Sequence, residues 1–365
     1  MNPERAARVA FARLTEPADP AVTELLAARG YPDALAALRR GDPPKLAAKV
    51  APRLAKLPDI DDVAIAERLQ ASILIPGDPG WPAALDDLPE PPHCLWALGS
   101  TEVGALTRRS VALVGARAAT AYGVDQAAGL AAALTDRRVV VVSGAAFGID
   151  AAAHRGALAA GGPTVAVLAC GIDRAYPLAH ATLLREIAAN GAVLTELPPG
   201  AAPYRQRFLQ RNRLIAALSL GTVVVEAAIR SGSLQTAAWA ERLARPVGAV
   251  PGPVTSMTSA GCHEAIRDLR AVLVTDADDI VDLIGRYGTD AAEIRRAPQR
   301  PEDRLTQTQY AVWQVLPTAG QGALVEALAE RAGLDVLSVQ AALGPLELAG
   351  LAHQGAAGYV RSRAG

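Results

Sequence analysis

Between Ser110 and Asp276 the chain repeats one pattern, a short run of β-branched and apolar residues followed by an alanine-rich stretch long enough for a helix. The runs are Val111 to Val114, Val139 to Val142, Val165 to Ala169, Ala192 to Leu197, Thr222 to Glu226, Pro246 to Val250 and Ala271 to Val274. Strands that are apolar at successive positions, rather than at every second one, are buried on both faces. Alternation with helices achieves that burial through parallel pairing, with helices covering each side of the sheet. The fold class is therefore α/β, built on a parallel sheet.

The rest of the composition fits a folded chain. Of 365 residues 51% are hydrophobic and 20% charged, enough to bury a core and to fill two or three domains. Only three phenylalanines and four tryptophans are present, so Val, Leu, Ile and Ala build the interior and any aromatic residue elsewhere is informative. The net charge of -1 exerts no global pull on nucleic acid, so binding of that kind needs a local basic patch. Lysine occurs only at positions 45, 49 and 56, which leaves arginine to supply the positive charge beyond them. Cys94, Cys170 and Cys262 are odd in number, far apart and without a Cys-x-x-Cys pair. They imply a reducing compartment, no disulfide and no structural metal. The N-terminus lacks an apolar signal core, and no run reaches the roughly 18 apolar residues of a membrane helix. The expected location is cytoplasmic.

Four segments are expected. Residues 1–70 read as short amphipathic helices broken at Gly30-Tyr31-Pro32, Gly41-Asp42-Pro43-Pro44 and Leu57-Pro58-Asp59, a helical contact or spacer module. Residues 71–286 hold the sheet, with a Pro-, Gly- and Asp-rich lead-in from Pro76 to Gly99 anchored by Trp81 and by Leu95 to Leu98, and a last helix over Asp276 to Ile284. Residues 287–304 have the composition of a linker. Residues 305–365 return to order as two or three helices and a strand-like Gly355 to Arg361. In that last module Asp335 to Leu348 carries no Arg or Lys and is interrupted by Gly344-Pro345, which argues for protein contact over duplex binding, since phosphates require cations.

In an open parallel sheet ligands gather at the carboxyl ends of the strands, where loops enter helix N-termini. Gly115 after the first run permits a tight turn that carries Arg117 to the rim. Ser143-Gly144 does the same after the second, with Gly148 opening a helix, and both loops suit phosphate. The competing reading for Gly115 and Gly144 is close packing of helix on strand. No later glycines follow Gly115 as in a dinucleotide fingerprint, so no such cofactor is expected. Glu226, followed by Ser231-Gly232-Ser233 and Thr236, makes an anion-friendly helix start. It is similar to that of phosphoribohydrolase-like enzymes, but without their double glycine.

Pro203 to Arg213 concentrates Arg205, Arg207, Arg211 and Arg213 with Tyr204 and Phe208, just ahead of the apolar Leu214 to Leu220. Guanidinium groups beside an exposed ring suit a single strand of nucleic acid, because each base offers a face to stack. An ion-paired helix start with a core phenylalanine would read the same way. Asp150 and His154, four apart on one helix face, admit an acid/base pair, but no nucleophile or metal set accompanies them. Capping and a buried polar link between loops explain them better.

Taken in order, Gly115-Ala116-Arg117, Ser143 to Asp150 with His154, Tyr176-Pro177, Thr195-Glu196, Phe208 to Arg213, Glu226 with Ser231-Gly232-Ser233, and Val250-Pro251-Gly252 resemble the DNA-processing protein A (DprA, also called Smf) family over about half the chain. The resemblance implies an extended Rossmann-like sheet domain, a sterile-alpha-motif-like or helix-hairpin-helix-like N-terminal domain and a C-terminal winged-helix-like domain. It implies a non-catalytic protein without cofactor that binds single-stranded DNA, forms a homodimer through the end of the sheet and loads RecA recombinase during natural transformation. Carried across, Arg117, Arg205 and Phe208 line the DNA pocket. Arg211 and Arg213 are phosphate or structural partners, and Gly115, Ser143, Gly144, Ser231, Gly232 and Ser233 supply loop contacts. Two departures stand out. Ala116 replaces a Ser or Thr, which removes one hydroxyl, and Gly261-Cys262-His263 with Leu269-Arg270 differs from the family's Gly-x-Asn and Gly-Ala steps. The alternative is a nucleotide-hydrolysing enzyme using Glu226 or Asp150 with His154.

Overall fold

The computed structural model describes residues 2–285, 301–318 and 322–362. All seven apolar runs form strands. Two short strands from the lead-in, β1 (Ser72–Leu74) and β2 (Leu95–Gly99), come first in the chain. They are followed by β3 (Ser110–Gly115), β4 (Val140–Ser143), β5 (Thr164–Val167), β6 (Ala192–Thr195), β7 (Thr222–Glu226), β8 (Val247–Ala249) and β9 (Val272–Leu273). The sheet order is β1-β2-β6-β5-β4-β3-β7-β8-β9. Strands β3 to β9 are mutually parallel, while β2 runs antiparallel to β6 and β1 antiparallel to β2.

This order fixes where a ligand can sit. From the central β3 the chain winds outward through β4, β5 and β6, then returns to the other flank for β7, β8 and β9. The loops leaving β3 and β7 therefore diverge to opposite faces and open a crevice between them.

Side-chain alternation divides the core. Val111, Leu113 and Val141 face the helices Ala121–Asp136 and Ile149–Ala159, while Ala112, Val114, Val142 and Val224 face Leu214 to Leu218 and Ala237. The first pair of helices approaches closely because Gly156 has no side chain, and a Cβ there would lie 2.3 Å from the Ala128 carbonyl oxygen.

Ahead of the sheet lie helices Pro3–Leu14, Pro20–Arg39 and Pro44–Leu54, around a core of Phe11, Leu14, Val22, Leu35, Leu38 and Val50, followed by the helix Asp62–Arg68. Side chains of Asn2, Asp19 and Asp61 cap three of them. At Gly30, with φ 69° and ψ 170°, the backbone leaves the helical conformation and splits the span Pro20–Arg39 into two helices, as the Gly30-Tyr31-Pro32 break predicts. The chain divides into two compact units, and this helical segment belongs to the same unit as the sheet.

The other unit contains helices Gln307–Val315, Val325–Ala332 and Val336–Leu348 and an antiparallel hairpin of Ala352–Gly355 with Gly358–Arg361. The last helix runs through Gly344-Pro345, contrary to the expected interruption, because buried Leu343 and Leu346 anchor that turn in the core. Of the expected linker, residues 287–300 lie outside the described residues, and Pro301–Arg304 forms a short 3-10 turn. Among the described residues no helix is long and apolar enough to cross a membrane.

Candidate nucleic-acid interface

A cleft of about 710 Å³ opens at the carboxyl ends of β3 and β7, and Gly115, Arg117, Arg205, Phe208, Arg211 and Ser231-Gly232-Ser233 all line it. Packing shapes its first loop. At Gly115 a Cβ would stand 2.5 Å from Ile149 Cγ1 and 2.9 Å from the Glu226 carbonyl oxygen, and the register against β7 shifts at Val114/Gly115. Glu226 then pins the turn. Its carboxylate, buried, accepts hydrogen bonds from the Thr120 N–H (2.9 Å), the Thr120 hydroxyl (2.8 Å) and the Thr258 hydroxyl (2.6 Å). Arg117 is left exposed at the rim.

The second wall is the helix Arg205–Leu218, whose C-terminal half is buried in the core and whose first turns face the cleft. Arg205 is exposed and Phe208 half-buried. The Arg117 guanidinium lies 4.8 Å from the Phe208 ring centroid, and Tyr176 leans on the same ring at 5.5 Å. The two arginines and the ring that the resemblance nominates thus share one cleft.

Other nominated residues stand differently. Arg211 lies in the floor, buried, donating to the Gly144 carbonyl at 2.8 Å and to the Val167 carbonyl. Burial lowers its pKa to about 10. Arg213 is fully buried, does not line the cleft and pairs with Glu196 at 2.5 Å. Its role is structural, which corrects the expectation of a phosphate contact: a guanidinium already facing a buried carboxylate is not available to solvent.

The Ser143-Gly144 loop also departs from expectation. The Ser143 hydroxyl donates to the Leu113 carbonyl at 2.6 Å, and the Gly144 and Ala146 N–H groups donate to Asp150 at 3.2 and 3.4 Å. An internal carboxylate has taken the donors that a phosphate would use. Gly144 is required because Arg211 fills its space, with Nη1 2.2 Å from where a Cβ would be. Burial raises the Asp150 carboxyl above its usual value, against the opposing charge of Arg211.

His154 is buried with Nδ1 2.8 Å from the Thr164 hydroxyl. Burial, followed by the charges of Arg211 and His180, lowers its pKa to about 3. Asp150 therefore secures the loop after β4, while His154 ties its helix to the start of β5. Across the cleft the Ser231 and Ser233 hydroxyls bond each other at 2.7 Å, and Gly232 is exposed.

Arg230 and Gln235 line the cleft without a place in the sequence reading, and Tyr176, which that reading gives no binding role, lines it too. Tyr176 sits in a motif, but its approach to Phe208 across 32 positions has no local signature. Arg207 is missing from the lining. It turns to Glu16 of the N-terminal helical segment, donating at 3.0 Å and 2.9 Å, while its guanidinium lies 4.3 Å from the Tyr204 ring and the Tyr204 hydroxyl donates to Glu16 at 2.5 Å. Burial pushes the Glu16 carboxyl up, but the bonds from Arg207 and Tyr204 outweigh it and hold the group below its usual value.

Comparison with known proteins points the same way. A sequence model of DNA recombination-mediator protein A matches residues 72–285. A Mycobacterium tuberculosis protein named as a DNA processing protein DprA is 47% identical over 304 residues, covering 80% of this chain and 77% of that protein. The X-ray structure of DNA processing protein A from Streptococcus pneumoniae superposes with a TM-score of 0.63 at 31% identity, over 77% of this chain and 97% of that one. The Helicobacter pylori DNA processing protein A structure, described for its single-stranded DNA binding mode, gives 0.52 at 31% identity, over 58% and 94%. With its central sheet, its cleft and four-fifths of its length aligned to such relatives, the chain belongs to the DNA recombination-mediator protein A family.

Proposed function

We propose that this chain binds single-stranded DNA without altering it covalently, protects incoming strands and loads RecA recombinase onto them during natural transformation, acting in the cytoplasm as a homodimer. The observation that carries the reading is Arg117 lying over the Phe208 ring, with Arg205 beside it on the same cleft. Cations at the rim take phosphates, and a half-exposed ring gives an unpaired base a face to stack on. Arg230 adds a third exposed cation to the lining. Single-stranded DNA is also what the Helicobacter pylori relative is described as binding.

Binding without turnover is supported by the fate of the groups a nucleotide hydrolase would use. Asp150, His154 and Glu226 are buried and each is engaged by hydrogen bonds within the fold. A panel of nucleotides incubated with the protein should yield no hydrolysis product, and turnover of any of them would favour the hydrolase.

Dimerisation is supported by the free edge of the sheet. Among the described residues strand β9 pairs only with β8, and Val272, Leu273 and the preceding Leu269 (92% exposed) offer apolar side chains there. Light scattering should report a dimer that Leu269→Asp weakens. The resemblance supplies RecA, and filament growth on a single strand with and without the protein tests the hand-over. For the terminal segments we infer contact roles, with residues 1–70 as a sterile-alpha-motif-like domain and 305–365 as a winged-helix-like domain.

The deciding experiment compares single-stranded and duplex oligonucleotides with wild type and the Arg117→Ala/Arg205→Ala variant. Single-strand affinity should fall sharply in the variant while its circular dichroism is unchanged. Binding retained by the folded double variant would remove the cleft from the account.

A further inference from the structure

Phe147 is one of only three phenylalanines in the chain, and 49% of it is exposed. Phe11 is fully buried and Phe208 half-buried, so water contact at Phe147 is a local choice that packing elsewhere does not repeat. The ring is also held in place. It packs against the His180 imidazole with centroids 4.7 Å apart and planes at 65°, and His180 is itself buried with Nδ1 2.9 Å from the Ala145 carbonyl oxygen. A ring fixed on one side and open on the other is already ordered for a flat ligand.

Its position ties it to the cleft. Gly148 has φ +76°, and a Cβ there would lie 2.2 Å from the Ala116 carbonyl oxygen and 2.5 Å from that of Arg117, so the loop presses directly on the backbone of Arg117. Ala146 lines the cleft from one side of Phe147. Tyr176 lines it too, is 43% exposed, leans on Phe208 and belongs to the same turn as His180. Beyond the rim Leu178 is 80% exposed. Phe147 itself does not line the cleft, but its neighbour Ala146 does, and the following Gly148 packs on the Arg117 backbone, which places an exposed ring next to the loop that carries Arg117.

We propose that Phe147 is a second base-stacking platform, on which a nucleotide of the strand that has already passed Phe208 and Arg117 lays its base, with Leu178 as an apolar flank. The ligand class is unpaired polynucleotide, since a base within a duplex has no free face to offer. This rests on the single-stranded DNA reading of the cleft and lengthens its footprint.

The test is fluorescence anisotropy with a labelled thymidine mononucleotide, whose one base can occupy only one ring, and a thymidine oligonucleotide of about 20 nucleotides. Phe147→Ala should weaken the oligonucleotide by roughly 5- to 150-fold and leave the mononucleotide within about twofold, while Phe147→Trp restores the oligonucleotide. Phe208→Ala should weaken both. Wild-type affinity of Phe147→Ala for the oligonucleotide, or equal loss for both ligands, would overturn the platform while the cleft reading stands. Unchanged binding of both ligands in Phe208→Ala and in the Arg117→Ala/Arg205→Ala variant would overturn the cleft reading and the platform with it.

Discussion

At the scale of single residues the polar groups under the cleft are spent on holding it open, and their removal should read as lost stability. Arg213 and Glu196 form a buried pair at 2.5 Å, yet Arg213 Nε and Nη1 have no protein partner. Arg213→Ala leaves a carboxylate uncompensated in the interior, so urea unfolding should show a loss of about 3–5 kcal/mol. Replacing both residues by apolar side chains of similar volume removes the unsatisfied donors along with the charges, and the double variant should recover to within about 1–2 kcal/mol of wild type. His154 provides a pH signature. Its folded pKa is lowered to about 3 from the usual 6.5, chiefly by burial, so between those values the unfolded chain binds the extra proton. The contribution is fully present above pH 6.5 and is lost as the pH falls toward 3. Urea midpoints should therefore drop on acidification through that window, and His154→Gln should remove part of the drop, leaving the part due to His93, which burial likewise lowers to about 3.

At the scale of elements the helix Arg205–Leu218 links the cleft to the N-terminal helical segment through Glu16. Its first turns divide by helical phase. At about 100° per residue four arginines within nine positions cannot share a face. Arg205 and Phe208 fall toward the cleft, Arg207 and Gln210 fall opposite and reach Glu16 and the Pro17 carbonyl, and Arg213 turns into the core. Because the folded pKa of Glu16 is depressed, its clamp is present above the unfolded value of 4.5 and is lost as the pH falls through the lower folded value. Glu16→Ala should cost single-strand affinity a few-fold, by freeing Tyr204 and the start of the helix, and should abolish that acid limb of the stability profile. Unchanged oligonucleotide affinity in Glu16→Ala would show that the segment does not shape the cleft. The same helix shows what the sequence can convey. Strands β3 to β9 are legible because parallel strands are apolar at every position, and Phe208 with Arg117 and Arg205 is legible through motif likeness. The inward turn of Arg213 depends on a carboxylate 17 positions away. The clamp spans 191 positions, and the capture of the Gly144 N–H depends on which way Asp150 points. None of these leaves a periodic trace in the chain.

For the whole molecule the net charge of -1 means that DNA affinity must come from a local group of cations, and salt dependence counts them. Arg117, Arg205 and Arg230 are the exposed arginines lining the cleft. Three phosphate contacts with a single strand give a slope of log affinity against log salt of about -2. Arg117→Ala/Arg205→Ala should reduce it to about -0.7. The described residues of the C-terminal unit offer no comparable group, since they carry Arg304, Arg331 and Arg361 against Glu302, Asp303, Glu326, Glu330, Asp335 and Glu347. Arg361 moreover lies 4.0 Å from the Trp313 ring centroid and donates to the Trp313 carbonyl. A chain ending after residue 292 retains the compact unit that holds the sheet. Its single-strand affinity should stay within about twofold of full length, with the same salt slope. A slope that flattened on truncation would place phosphate contacts in the C-terminal unit and make that unit a second DNA-binding element.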